Sequence, residues 1–273
     1  MVGNTRKRIE EYIALSKSQD QKLRLNLEID VGLHRGGFRD KEQLGTALRL
    51  IEDNKAYVTL SGLMGYDPHV PKLPSIVRSQ AKALSLSNKF YEGCKTVIRE
   101  DFPSLWSEDL TFNGAGSPTF NLHSEDSPLN DISAASCLVK PTTFDIPTLK
   151  QYEPASFIAA PILKSMVGTT LPAMENMKGM LNLISSSHKR SYFIYGGYWK
   201  ADYCYPPGLK RNSIFGDSTN QTMVNAPFDT NLDVDDFVFL RPKQSEFVFL
   251  QFGNILPYRD RELKDSWQVL KNY

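Results

Sequence analysis

The chain has few cysteines, no long apolar run and almost no net charge, and each of these absences excludes a class of protein. Its three cysteines, Cys94, Cys137 and Cys204, are too few and too scattered for a disulfide framework or a CxxC metal site. Because each has aromatic or aliphatic neighbours, we expect buried free thiols, which suit a reducing cytoplasm. The N-terminus has no apolar core typical of a signal peptide, and no apolar run approaches the ~20 residues of a membrane span. These features predict a cytoplasmic protein with no membrane partner.

The balance of basic and acidic residues argues against a nucleic-acid-binding protein. The 273 residues include 32 basic and 31 acidic side chains, so the net charge of +1 gives no overall field that would attract nucleic acid. Hydrophobic residues make up 41% of the chain and charged residues 23%, which is ordinary for a globular protein with a sizeable core. We therefore expect one large or two medium domains and no nucleic-acid partner.

In the first half of the sequence, helix and strand patterns alternate. Apolar residues at helical spacing predict helices over residues 6–19, 40–53 and 74–100. Short apolar or alternating runs predict strands over residues 23–31, 56–60, 110–112 and 137–141. Alternation of this kind is typical of parallel βα units.

After about residue 140 the pattern changes. Apolar runs rich in aromatic and β-branched residues are separated by Pro, Gly, Asn and Asp, with little helical periodicity between them. These runs predict strands over residues 157–163, 191–199, 235–240 and 246–253. The predicted domains are therefore an α/β domain over residues 1–150 and an all-β domain over residues 151–273.

Two side chains in the first half are candidates for chemistry. Arg35 lies in a glycine-rich loop after the strand at 23–31, where a barrel strand would present it at its C-terminal end. It is either a surface arginine in a turn or a guanidinium that holds an anionic oxygen through paired donors. His69 is likewise open to a structural or a proton-transfer role.

Three segments in the same order resemble the D-threonine aldolase/D-serine dehydratase family, whose members are relatives of alanine racemase. The segments are EIDVGLHRGG at residues 28–37, GYDPH at 65–69 and GAGSPTF at 114–120. The resemblance implies an α/β fold, namely the second half of an alanine-racemase-type (β/α)8 barrel, followed by a C-terminal all-β domain. It also implies pyridoxal 5′-phosphate as the cofactor and a homodimer in the complete protein.

The resemblance further implies roles for individual residues. Arg35 matches an arginine on the phenolic-oxygen side of the pyridoxal ring, and Tyr66 matches a tyrosine beside that ring. His69 matches a histidine that faces the substrate, which makes it the candidate catalytic residue for proton transfer.

Small residues are implied as ligands of the cofactor phosphate. Gly116, Ser117 and Thr119 match the family's glycine-rich phosphate loop, where backbone N–H groups can approach an anion closely. The family has Gly-Ser before its last barrel strand, whereas this chain has Ala135 and Ser136, so Ser136 alone is carried over.

The chain departs from the family at two places. No lysine lies in the context of the family's Schiff-base lysine, and Lys140 and Lys200 are interpreted as ordinary lysines. Where metal-dependent members have His-x-Cys or His-x-Asp, this chain has Gln244 and Glu246. Glutamine is a poor ligand for zinc, and a single carboxylate does not make a site. We therefore expect no metal, and Gln244 and Glu246 either line the substrate pocket or lie in an exposed hairpin.

The implied function is pyridoxal-phosphate chemistry at the α-carbon of a small D-amino acid, by a lyase, dehydratase or racemase route. A closed barrel has eight strands, whereas only four strand patterns are found here, so the lysine-bearing strands are expected to precede Met1. The alternative is a truncated, catalytically inactive fragment or ligand-binding remnant of such an enzyme.

Overall fold

The computed structural model describes residues 1–74, 76–168 and 190–269. The chain forms two compact units, and each has a hydrophobic core of its own. Unit 1 consists of Met1–Cys137 and Ile146–Leu149, and unit 2 consists of Leu138–Asp145 and Lys150–Tyr273.

Unit 1 is built on a parallel sheet of five strands that lie side by side in sequence order. The strands are β1 (Val2–Gly3), β2 (Leu23–Glu28), β3 (Val58–Gly65), β4 (Thr111–Gly114) and β5 (Asp131–Ile132). The helices between them are α1 (Arg6–Gln19), α2 (Lys41–Asp53) and α3 (Gln80–Asp101). Parallel strands joined by helices confirm the α/β arrangement that the sequence pattern predicts.

Side-chain caps explain where the helices of unit 1 begin. The side chains of Thr5, Asp40 and Ser79 each accept a hydrogen bond from the backbone N–H three residues later. The prediction of a helix from residue 74 was too early, because the cap at Ser79 starts α3 at Gln80.

The core of unit 1 lies between the helices and the sheet. Leu25 and Leu27 of β2 are fully buried, as the alternation of apolar and polar residues in that strand predicts. The apolar stripe of α2 is also fully buried and consists of Leu44, Ala47, Leu48 and Ile51. Burial of each leucine stabilises the fold by roughly 1.5–3 kcal/mol relative to exposure.

Two strand predictions in the first half of the chain were wrong. β3 continues to Gly65, beyond the end predicted at residue 60. Glycine at position 62 makes this possible, because a Cβ there would clash with the neighbouring strand, 1.8 Å from the backbone oxygen of Thr111. The predicted strand at 137–141 does not form, since Ser136–Leu138 is a 3-10 turn and Lys140 has a positive φ of 41°. The strand beside β4 is instead β5.

Unit 2 contains an antiparallel sheet of six strands in the order β8-β11-β6-β7-β10-β9. These strands are β6 (Ile158–Val167), β7 (Arg190–Tyr195), β8 (Ala201–Tyr205), β9 (Lys210–Arg211), β10 (Gln221–Ala226) and β11 (Phe237–Pro242). A short helix α4 (Ser245–Phe249) and a small hairpin of β12 (Tyr258–Arg259) and β13 (Glu262–Leu263) follow. The change from a parallel α/β unit to an antiparallel β unit is thereby confirmed.

Two further expectations were wrong in unit 2. The apolar run at 246–253 begins with helix α4 rather than a strand, because a run this short fits a helical turn as well as a strand. The thiol of Cys204 is in an exposed residue of β8, whereas Cys94 and Cys137 are buried as expected. Within the ranges that the structure describes, no helix is long and apolar enough to cross a membrane.

Candidate functional site

The loop after β2 is closed by its own backbone. The N–H of Phe38 donates a hydrogen bond to the carbonyl of Glu28, and the N–H of Asp30 donates one to the carbonyl of Phe38; both N···O distances are 2.9 Å. Gly37 has a φ of +87°, and a Cβ there would lie 2.8 Å from the backbone oxygen of Glu28. Only glycine fits this closure, which leaves Arg35 on the exposed part of the loop.

The buried carboxylate of Asp30 organises this loop from within. Its Oδ1 accepts hydrogen bonds from the N–H groups of Gly32 at 3.0 Å and His34 at 2.8 Å, and its Oδ2 lies 3.1 Å from Nδ1 of His34. Burial by itself raises the pKa of Asp30, but the hydrogen bonds from His34 and Gly32 outweigh it and hold the pKa below the usual range. Asp30 is therefore an anion at neutral pH, a role that the sequence reasoning did not assign to it.

Arg35 and Tyr66 meet at the C-terminal ends of β2 and β3. The guanidinium carbon of Arg35 lies 4.7 Å from the centroid of the Tyr66 ring, which is a cation–π contact. The two side chains line a small cleft, whose other lining residues are Glu28, Ile29, Asp30, Leu33 and Gly36. The structure thus brings together two residues that the sequence implicated in one site.

The glycine-rich loop after β4 packs against the same tyrosine. A Cβ at Gly116 would lie 2.3 Å from Cε2 of Tyr66, so the backbone approaches the ring too closely for any residue with a side chain. The carbonyl of Gly116 accepts hydrogen bonds from the N–H groups of Thr119 and Phe120, each at 2.9 Å, which closes a tight turn. Ala115 precedes this turn with a φ of +64°, a conformation that costs a residue with a Cβ some strain.

The hydroxyl groups of this loop are buried and engaged. Ser117 is 6% exposed, and its Oγ accepts a 3.2 Å hydrogen bond from the N–H of Cys137. Ser136 directly precedes Cys137 and lies in the 3-10 turn Ser136–Leu138, which this hydrogen bond links to Ser117. Thr119 is fully buried and donates its hydroxyl proton to Oδ1 of Asp67 at 2.5 Å.

Asp67 and His123 form a buried pair that the sequence reasoning missed. Nε2 of His123 lies 3.0 Å from Oδ2 of Asp67, and both side chains are 3% exposed. Nδ1 of the same histidine lies 2.9 Å from Oγ of Ser127. Asp67 stands inside the segment that carries the family resemblance, but its partner lies 56 positions away, and no local pattern indicates it.

His69 is enclosed beside the loop after β2. Its Nε2 lies 3.5 Å from Oγ of Ser87 and would lie 3.0 Å from a Cβ at Gly32. Its Nδ1 is buried and has no hydrogen-bond partner in the part of the chain that the structure describes. Burial lowers the pKa of His69, and the nearby Asp67 carboxylate opposes this only in part. The ring is therefore neutral at pH 7, and it is not among the residues that line the Arg35–Tyr66 cleft.

Gln244 and Glu246 belong to unit 2 and form a hydrogen-bonded group there. Nε2 of Gln244 donates to Oε1 of Glu246 at 3.0 Å, and Nζ of Lys200 donates to Oε1 of Gln244 at 2.7 Å. Nζ of Lys140 is also engaged, since it donates to the carbonyl of Tyr152. Among the described residues, no three or more His, Cys, Asp or Glu side chains are grouped so that they could hold a metal ion.

Residues 1–100 match a family model described as the N-terminal domain of alanine racemase. Among solved structures, D-threonine aldolase from Filomicrobium marinum is similar, with a TM-score of 0.72 and 13% identity over 98% of this chain and 68% of that one. D-threo-3-hydroxyaspartate dehydratase from Delftia sp. HT23 gives a TM-score of 0.72 and 12% identity over 100% and 72% of the two chains. Alanine racemase from Bartonella henselae, solved with covalently bound pyridoxal phosphate, gives 0.56 and 16% over 89% and 64%. No curated protein sequence matches the chain.

The likeness to these solved structures confirms the predicted fold, and the family model matches the part of the chain that carries the first two segments of the resemblance, residues 28–37 and 65–69. The matches to D-threonine aldolase and to D-threo-3-hydroxyaspartate dehydratase extend over both the parallel unit and the antiparallel unit, since they cover 98% and 100% of this chain. At identities of 12% to 16%, the likeness to solved structures shows a shared fold and leaves the activity of this chain to be proposed.

Proposed function

We propose, because residues 1–100 match the model of the alanine racemase N-terminal domain, that unit 1 binds pyridoxal 5′-phosphate in the loops after its strands. The reaction we propose is a lyase, dehydratase or racemase step at the α-carbon of a small D-amino acid. The parallel sheet would be the second half of a (β/α)8 barrel, and the complete protein would be a homodimer. The observation that carries the proposal is the contact of Arg35 and Gly116 with the same tyrosine ring, Tyr66.

The residues of these loops fit such a cofactor. Tyr66 offers an aromatic face, and Arg35 offers a cation next to it that can hydrogen-bond to an anionic oxygen of the pyridoxal ring. At Gly116 there is no side chain, so the backbone of the turn can approach a phosphate closely. Ser117 and Ser136 would add hydroxyl donors at that turn, while Thr119 would act indirectly because its proton is donated to Asp67.

When bound, pyridoxal phosphate supplies an electron sink for charge that develops at the substrate α-carbon. The chain's own contribution would include a proton acceptor. The lowered pKa of His69 keeps its imidazole neutral, which is the form that accepts a proton, and its Nδ1 has no partner in the described ranges. Gln244 and Glu246 would contact the substrate only if unit 2 contributes to the site.

The alternative is a chain that binds the cofactor or another ligand without catalysis. It is favoured by the lysines, because Nζ of Lys140 is held by the carbonyl of Tyr152 and Nζ of Lys200 by the side chain of Gln244. A lysine that attaches the cofactor covalently must present a deprotonated amine to it. Neither of these two lysines lies in unit 1, which holds the proposed cofactor loops.

A binding experiment tests the cofactor proposal directly. The chain is titrated with pyridoxal phosphate, then treated with borohydride and mapped for pyridoxyl-lysine, and it is assayed with D-threonine, D-serine and D-alanine. Reversible binding without a label supports the noncatalytic alternative, whereas a label on a lysine together with turnover supports the enzyme. Absence of binding at millimolar cofactor would overturn both.

The variant Arg35→Ala tests whether the cofactor binds at the proposed position. Loss of a charge-assisted hydrogen bond costs roughly 1.5–3 kcal/mol, so we expect the Kd for pyridoxal phosphate to rise roughly 10- to 150-fold. Arg49→Ala is the matched control, because Arg49 makes the same kind of contact with Phe102, at 5.2 Å, on the helices instead of the loops. Equal effects of the two substitutions would contradict the placement.

A further inference from the structure

A buried hydrogen-bonded pair, Asp67 and His123, joins two loops of unit 1. Asp67 lies in the loop after β3, and His123 lies beyond the turn that follows β4. Nε2 of His123 lies 3.0 Å from Oδ2 of Asp67, and both side chains are only 3% exposed, so the contact is shielded from water. Two buried ionisable groups carry a large desolvation cost that only a close partner offsets, so loss of either one leaves the other uncompensated.

The second carboxylate oxygen of Asp67 also links the loop after β3 to the segment after β4. Oδ1 accepts the hydroxyl proton of Thr119, which is fully buried. Thr119 N–H donates to the carbonyl of Gly116, so this threonine is part of the turn that begins there. Both oxygens of Asp67 therefore hold the segment after β4. Asp67, Thr119 and His123 together form what we name the Asp67 clamp.

The clamp connects the same two loops that meet at the tyrosine ring. Asp67 follows Tyr66 directly, and Thr119 is three residues from Gly116. The backbone at Gly116 lies so close to that ring that a Cβ at this position would clash with it. We propose that the Asp67 clamp fixes the distance between the Tyr66 ring and the Gly116 turn, and that its members are positioning residues of the ligand site.

This inference rests on the proposed function, in which the cofactor ring lies against Tyr66 and the cofactor phosphate against the Gly116 turn. A ligand with two anchored ends gains from a fixed spacing, because its second end binds at high effective concentration once the first is bound. A ligand with one end gains nothing from that spacing. Loss of the clamp therefore weakens the binding of pyridoxal phosphate more than it weakens the binding of pyridoxal or of inorganic phosphate.

The test compares Thr119→Val with Ser16→Ala. The first substitution removes the donor to Asp67 and keeps the size of the side chain. The second removes another buried hydroxyl of unit 1, whose Oγ lies 2.8 Å from the carbonyl oxygen of Gln21 and 2.7 Å from that of Tyr57 and which has no part in the clamp. Calorimetric titration of the full chain with pyridoxal phosphate, pyridoxal and inorganic phosphate gives three dissociation constants for each variant.

We expect Thr119→Val to raise the Kd for pyridoxal phosphate about tenfold or more, and to change the Kd for pyridoxal and for phosphate by less than about twofold. Ser16→Ala is expected to change none of the three. Thr119→Ser keeps the donor and should restore the affinity of the parent chain. If circular dichroism shows that Thr119→Val is unfolded, the isosteric Asp67→Asn replaces it in the same comparison.

Two outcomes would overturn the inference in different ways. A loss of equal size for all three ligands, or the same loss in Ser16→Ala, would assign the effect to general stability and not to spacing. A parent chain that does not bind pyridoxal phosphate would overturn the proposed function, and the inference with it.

Discussion

Substitution of Gly116 by alanine is the sharpest test of the packing around Tyr66. The added Cβ would lie 2.3 Å from Cε2 and 2.9 Å from Cδ2 of the tyrosine ring, where real Cβ atoms are essentially never found. The guanidinium of Arg35 also packs on this ring, 4.7 Å from its centroid, so a shift of the ring would disturb a second contact. Such overpacking costs about 1–3 kcal/mol of unfolding free energy.

The same substitution at Gly45 provides a control of opposite sign. Gly45 lies in α2, and its nearest neighbour to an added Cβ is a ring atom of Phe102 at 3.9 Å, an ordinary contact distance. Alanine is a better helix former than glycine, so Gly45→Ala is expected to stabilise the chain by roughly 0.5–1 kcal/mol.

Urea unfolding followed by circular dichroism measures both changes. The expected result is a lower urea midpoint for Gly116→Ala and a higher one for Gly45→Ala, with the slopes of the transitions unchanged. An unaltered midpoint for Gly116→Ala would refute the reasoning, because it would mean that the tyrosine and the turn are not in contact. The assay needs no ligand, so its outcome is independent of the proposed function.

Two further predictions concern titratable groups. A thiol reagent applied to the folded chain should label the exposed Cys204 and spare Cys94, because burial raises the pKa of Cys94 to about 12. In urea all three cysteines should react. Rapid labelling of Cys94 in the folded chain would contradict its burial. Because burial lowers the pKa of His69, the neutral ring stabilises the fold above its usual pKa of 6.5, and this contribution is lost as the pH falls through the lowered value. The unfolding free energy of the parent chain should therefore fall more steeply below about pH 6.5 than that of His69→Gln, and parallel pH curves would argue against a buried neutral histidine.

The helices and the sheet of unit 1 were largely predictable from sequence because their signals are local. The helix at 6–19 was predicted with both ends correct, and that at 40–53 within one residue of its N-terminus. The alternation in residues 23–31 identified β2 and its buried face. Strand β3 was cut short because its glycines resemble a turn, whereas Gly62 is required by the close approach of the backbone of Thr111.

The candidate site was predictable in part. The resemblance singled out Arg35, Tyr66 and Gly116, and the structure places these three in contact around one aromatic ring. The roles assigned to them remain a prediction. Asp67 and His123 escaped notice because a contact between residues far apart in sequence leaves no periodicity, spacing or composition that reveals it.

The sequential order of the strands in unit 1 bears on how this part of the chain folds. Each of β2 to β5 pairs with the strand before it, so every pairing in this sheet joins strands that are neighbours in sequence. Pairing between sequence neighbours keeps the entropic cost of each loop closure small. During synthesis, a strand that leaves the ribosome finds its partner already made. Pulsed hydrogen exchange on refolding chains should therefore detect protection in β2 and β3 no later than in β4.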